Sequence, residues 1–245
     1  MRMRVLAALL ALGLALPASA EIVAARYADE TGRYAHGVLG DAIEYETLVV
    51  TLADGSERRA RYLETLVFED VAPRLVDLDG DGAAEVITVE SHETRGARLS
   101  IWGWRDDALA PLAATPFIGT RFRWLAPVGV GAADLDGDGT MEIAYIDRPH
   151  LAKTLRVWRY EAGAEGPRLT ELASMGQLTN HRIGEDHISG GIRTCGQRPE
   201  LVLADATWES IMAVWLHDGA LRKRALAPFV EGAGFDAALR CRGGT

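Results

Sequence analysis

The sequence predicts an all-β fold, a small β-propeller of four blades with four antiparallel strands each. Three observations lead there. One phrase recurs as "EVITVE" (85–90), "EIAYID" (142–147) and "ELVLAD" (200–205), and a second as "LSIWGW" (99–104), "LRVWRY" (155–160) and "IMAVWL" (211–216). Trp102, Trp158 and Trp215 align at spacings of 56 and 57 residues. Each copy reads as short alternating runs broken by turn residues, and nothing past residue 20 carries a long helical period. A small sheet cannot bury both of its faces alone, and radial stacking of copies removes that difficulty while leaving few open edges.

The chain opens with "MRMR", a basic start, then the apolar "VLAALLALGLAL", then "PASA" before Glu21. That order predicts a secretory signal peptide over 1–20, cleaved after Ala20 and too short in its apolar part to span a bilayer. The expected location is outside the cytoplasm, periplasmic or secreted. Residues 21–245 then divide into units at 21–71, 72–127, 128–185 and 186–245. The first is degraded: "LGDAIEYETLVVTLADG" (39–55) places Asp41 where the other copies have Glu. In the second, strands are expected near 73–78, 85–91, 97–104 and 109–117. Five blades, or an incomplete ring, are compatible with so weak a first copy, and a two-sheet sandwich is the second fold reading.

The composition, 48% hydrophobic and 25% charged, is that of a globular protein, with 26 basic and 35 acidic residues and a net charge of −9. Loss of Arg2 and Arg4 with the leader makes it more acidic. This excludes nucleic acid and anionic membrane surfaces as main partners and suits an exported protein that meets divalent cations.

Two acidic loops hold the strongest chemical signal, "DLDGDGAAE" (77–85) and "DLDGDGTME" (134–142). Four carboxylates in nine residues repel one another unless something neutralises them. In D-x-D-x-D-G-x-x-E, positions one, three and five supply converging side-chain oxygens, the Gly permits the sharp turn, position seven offers a carbonyl and position nine a last carboxylate. Calcium takes six to eight hard oxygens in flexible geometry, so the pattern predicts two structural calcium ions. The candidate ligands are Asp77, Asp79, Asp81, Ala83 and Glu85 in one site, and Asp134, Asp136, Asp138, Thr140 and Glu142 in the other. An EF-hand is excluded because position twelve is Thr88 or Tyr145 and the flanks read as strands. The alternative is a solvated acidic turn. The aligned stretch of the last unit, "IRTCGQRPE" (192–200), keeps only Glu200. It contains Cys195, one of two Cys, and an exported chain favours a Cys195–Cys241 disulfide, a covalent staple in place of the ionic one.

The loop between strands, repeated at blade spacing, resembles the FG-GAP or VCBS-type repeat of integrin alpha subunit propellers and of many secreted bacterial proteins. The resemblance is strong over 72–104 and 128–160, weaker over 186–229 and faint over 21–71. It implies structural calcium at the residues just named and a fold that presents a surface to partners. The departure is Glu85 and Glu142 where Asp is more usual.

Two further stretches are rich in His, Arg, Gly and acids, "TGRYAHGVLGDAIEYE" (31–46) and "NHRIGEDHISGGIRTCG" (180–196). In a propeller such connections gather around the axis on one face. Arg33, His36, Asp41, His181, Arg182, Glu185, His187 and Arg193 are therefore the candidate residues for a polar or anionic ligand, or for an envelope-protein partner. The bland reading is that the glycines serve turns and the polar groups satisfy backbone. G-x-S-x-G, H-E-x-x-H, P-loop and G-x-G-x-x-G motifs are missing from the sequence, and no catalytic residue is assigned. The functional expectation is a calcium-binding binding or scaffolding module, the alternative a periplasmic enzyme centred on His36, His181 and His187. The repeating tryptophans are expected in the core, and the non-repeating Trp104, Trp124 and Trp208 at the surface.

Overall fold

The computed structural model describes residues 21–242; the signal peptide expected over 1–20 lies outside them. Nearly all regular structure is antiparallel β, arranged in sheets of eight, four and five strands.

The first unit contributes β1 (Ile22–Thr31), β2 (Glu44–Leu52) and β3 (Glu57–Arg61). A short strand, β4 (Leu66–Phe68), pairs with both β2 and the second unit, so units one and two share the eight-stranded sheet. The second unit is β5 (Arg74–Val76), β6 (Glu85–His92), β7 (Gly96–Arg105) and β8 (Ala108–Ala114), close to the four strands expected from sequence. The third is β9 (Leu125–Ala133), β10 (Glu142–Asp147), β11 (Thr154–Gly163) and β12 (Gly166–Gly176). The last sheet holds β13 (Leu178–Thr179), β14 (Gly191–Arg193), β15 (Glu200–Asp205), β16 (Ser210–His217) and β17 (Ala220–Pro228), followed by one helical turn, α1 (Asp236–Leu239).

Local chemistry explains the hairpins. Asp106 and Asp107 between β7 and β8, and Asp218 and Gly219 between β16 and β17, all take positive φ, as the two-residue turns that match strand twist require. The central strands are buried on both faces because other parts of the fold cover each side: every residue of β10 is buried, including Glu142 and Asp147.

The units stack in series. Leu48 and Val50 of the first pack with Val86 and Trp102 of the second. Ile87 and Leu99 of the second pack with Ala126 and Ile143 of the third. Ile146 and Val157 of the third pack with Leu203 and Val214 of the fourth. The remaining face of the fourth unit, with Val202, Ala204 and Ile211, is covered by Phe235 and Ala238 from α1 and its entry. A disulfide, Cys195–Cys241, ties that segment down, with a Cα–Cα distance of 5.6 Å. A ring closed by the first unit upon the fourth is not traced among the described residues. Strands of neighbouring sheets approach closely: a Cβ on Gly129 of β9 would sit 3.0 Å from the Gly191 Cα of β14.

The tryptophans depart in part from expectation. Trp102 and Trp158 are buried as expected, but Trp215 is only half-buried, with the Arg224 guanidinium over its ring. Trp124, expected at the surface, is 2% exposed, because its indole Nε1–H donates to the Glu69 carbonyl at 2.8 Å across the unit boundary.

Candidate functional site

The two acidic loops fold alike. Asp77 accepts hydrogen bonds from the Gly80 and Gly82 amides at 2.8 and 3.0 Å, and Asp134 accepts from Gly137 and Gly139 at 2.7 and 3.0 Å. Gly82 and Gly139, with φ of 90° and 89°, hold the left-handed turn that the spacing demands. Each terminal Glu turns back to accept from the amide after the first Asp, Leu78 to Glu85 and Leu135 to Glu142, both at 2.8 Å.

This closure gathers ligand oxygens. Those of Asp77, Asp79 and Glu85 lie within 4.8 Å of one another, as do those of Asp134, Asp136 and Glu142. Calcium–oxygen distances of about 2.3–2.6 Å allow oxygens that far apart in one shell, and all the donors are hard oxygens, so the first loop fits a calcium ion. Asp81 and Asp138 instead cap the Ala83 and Thr140 amides. Burial, reinforced by Asp79, Asp81 and Asp77, pushes Glu85 up to about 7. Burial also raises Glu142, but there the Arg159 guanidinium opposes it.

The strands carry the chain from these loops to the opposite end of the sheets. From Glu85 to Ser91 along β6 is roughly 20 Å at strand rise. There the two polar stretches singled out in the sequence meet: the Gly184 amide donates to the Val38 carbonyl at 3.0 Å. They border a pocket of ≈ 260 Å³ walled by Phe122, Trp124, His150 and Ile183, with His36, Arg123 and Arg148 at its margin.

His36 is held from behind. Its Nδ1 lies 2.5 Å from the Glu69 carboxylate, whose other oxygen accepts from the Ser91 hydroxyl. The imidazole stacks on Phe122, with centroids 4.9 Å apart. Glu69 is fully buried, and desolvation raises its pKa against the lowering effect of His36. Nearby Glu44, pushed up to about 10 by burial, Glu69 and Asp41, is a neutral acid at pH 7.

His150 and His181 form a second pair, Nε2 to Nδ1 at 2.9 Å. The Glu185 carbonyl can only accept, so His181 Nε2, at 2.9 Å, carries its proton and Nδ1 accepts from His150 Nε2–H. Burial lowers both pKa values, that of His150 to about 4, so the pair is neutral at pH 7.

Of the eight residues predicted for a ligand, His36 lines this pocket and His181 supports its wall. Arg33 clamps Glu46 and the Tyr62 and Leu66 carbonyls. Asp41 caps the Ile43 amide, and Glu185 accepts from the Arg182 amide. Arg182 pairs with Glu231 over Trp208. His187 is exposed beside Asp186. Arg193 is buried against Glu200 and the Ala238 carbonyl. Sequence reasoning missed Glu69, Phe122, Trp124 and His150. The non-repeating "RFRW" (121–124) and the extended "DRPHL" (147–151) between β10 and β11 were the available signals.

Glu44 yields a pH prediction. A folded pKa raised above its unfolded value contributes stability below about 4.5 that is lost as pH rises toward the folded pKa. Glu44→Gln, which has no charge to bury, is expected to match wild type near pH 5. At pH 8 it should be more stable by about 3–5 kcal/mol in urea unfolding, since ionisation of the unfolded-state Glu44 opens a gap of about 1.4 kcal/mol per pH unit above about 4.5.

An all-β protein of repeated antiparallel units, with paired Asp-rich loops between strands, defines a class of repeat proteins. Residues 75–145, the stretch that contains both acidic loops, match the family model of the FG-GAP-like repeat. No curated protein matches the chain.

Proposed function

We propose that this chain is an exported binding module, a propeller-type arc of four blade-like units with calcium stapling the acidic loop 77–85. It uses the opposite end of the sheets to receive a polar or anionic ligand or an envelope-protein partner. The observation that carries the reading is the convergence of Asp77, Asp79 and Glu85 on one point, which a divalent cation would neutralise. Serial stacking of the units supports the arc, and the leader-like residues 1–20 support export. The aromatic pocket beside His36 and Arg123 supports the binding face, since such pockets combine apolar walls with a few placed polar groups.

Thermal unfolding of the purified protein tests this. With a dissociation constant on the order of 10⁻⁴–10⁻³ M, about 10 mM calcium should add about 1.4–2.7 kcal/mol relative to chelator. For a domain of this size that is roughly 3–10 °C in Tm. Asp77→Ala should abolish the shift. A wild-type Tm indifferent to calcium would reduce the loop to an acidic turn.

A second reading, an enzyme, has one observation in its favour. A buried Glu69 holding His36 Nδ1 beside a pocket is how a carboxylate orients a general base.

A further inference from the structure

The acidic loops are the same in sequence at seven of nine positions yet differ in what already neutralises them. In the second loop the Arg159 guanidinium lies among the carboxylates. One terminal nitrogen is 2.6 Å from Asp136 Oδ2 and 2.9 Å from Asp138 Oδ2, and Nε is 2.9 Å from Glu142 Oε1. Glu142 Oε2 already accepts from the Leu135 amide, so both of its oxygens are engaged. Around the first loop, no basic side chain among the described residues pairs with Asp77, Asp79, Asp81 or Glu85. Glu85 is 7% exposed, and only its Oε2 accepts a hydrogen bond, from the Leu78 amide.

The cause is one residue in the neighbouring strand. Glu142 on β10 faces Arg159 on β11. One repeat earlier Val86 faces Trp102, which sets Glu85 beside Gly103. A Cβ on Gly103 would lie 3.7 Å from the Glu85 Cγ, so Gly103 stands where an arginine stem would begin. The fourth unit extends the series: Glu200 is held by Arg193 at 2.6 Å and Arg224 at 2.6 Å, beside the disulfide.

We infer that Arg159 is the built-in cation of the second loop, so that the chain takes one calcium ion, at Asp77, Asp79 and Glu85. The inference rests on the calcium reading above. The residues of the second loop do not fit a metal while the guanidinium is there. An ion entering would have to break two charge-assisted hydrogen bonds and the ion pair to Asp138, and displace a positive charge from the same oxygens. Its affinity there should be weaker by on the order of 100-fold or more.

Calcium titration by equilibrium dialysis and calorimetry, from micromolar to millimolar ion, decides the matter. One ion per chain is expected for wild type, and none for Asp77→Ala. Arg159→Gln, which keeps much of the side-chain stem but removes the charge, should bind two, as should Arg159→Ala if Gln itself blocks the site. Circular dichroism of each variant confirms that the fold persists. Two ions of similar affinity in wild type would overturn the inference, as would one ion lost in Asp134→Ala but kept in Asp77→Ala. So would a single ion in both folded Arg159 variants. No binding by any form overturns the calcium reading itself, an outcome distinct from binding at the wrong loop or in the wrong number.

Discussion

Reducing the Cys195–Cys241 bond, or replacing Cys241 by Ser, is expected to cost about 4 kcal/mol of stability. The bond closes a loop of 46 residues, and cross-linking a loop of that length removes substantial chain entropy from the unfolded state. The tethered segment also performs a structural task. Phe235 and Ala238 cover Val202, Ala204 and Ile211, the face of the fourth unit turned away from the third. Arg193 reaches from β14 to the Ala238 carbonyl at 2.7 Å, adding a polar anchor beneath the same turn. The check is urea unfolding with and without reductant. The midpoint should fall sharply in reductant for wild type and be insensitive to it for Cys241→Ser. An unchanged midpoint would mean that packing of α1 alone holds the cap.

The second large effect is expected at Trp124. Its indole is 2% exposed, packs in the core between units two and three, and donates to the Glu69 carbonyl. Its ring also stands against His150 and His181, with the His181 centroid 4.9 Å away. Trp124→Ala should therefore cost about 3–5 kcal/mol, the range for emptying a buried aromatic site. Trp124→Phe keeps most of the volume but strands the Glu69 carbonyl, and should cost about 1–3 kcal/mol. Urea unfolding measures both. Because the pocket wall and the core share this residue, Trp124→Phe is the variant for testing ligand binding, and Trp124→Ala the one for testing the fold. A loss under about 1 kcal/mol in Trp124→Ala would show that the site collapses freely and that Trp124 is not a keystone between the units.

Much of the second and third units was legible because the information is local. Alternation places Val86, Thr88 and Glu90 on one side of β6 and Ile87 and Val89 on the other, and Asp106 and Asp107 mark a tight turn wherever they occur. The acidic loops are closed by bonds within nine residues, from Leu78 to Glu85 and from Asp77 to Gly82, so spacing alone foretold them. The first unit was harder. Its joining to the second through β4 depends on Phe68 pairing with Tyr45 on one side and Glu90 on the other, which no short pattern announces. The ligand cluster was legible only in location. Arg33, Arg182 and Arg193 look like binding residues in a sequence because their partners, Glu46, Glu231 and Glu200, are 13, 49 and 7 residues away.

By itself the sequence determined the all-β class, the repeat, the cysteine pair and the shape of the two acidic loops. These depend on periodicity, turn stereochemistry and charge within a few residues. Tertiary structure alone decided which groups stand behind His36, what covers the free face of the fourth unit, and that Arg159 faces Glu142 where Gly103 lies beside Glu85. Those outcomes follow from packing whole units against one another, which brings residues 36, 69, 91 and 124 together across two units. Side-chain burial and long-range pairing then set charge and hydrogen-bond state, and neither is written in the spacing of any one segment.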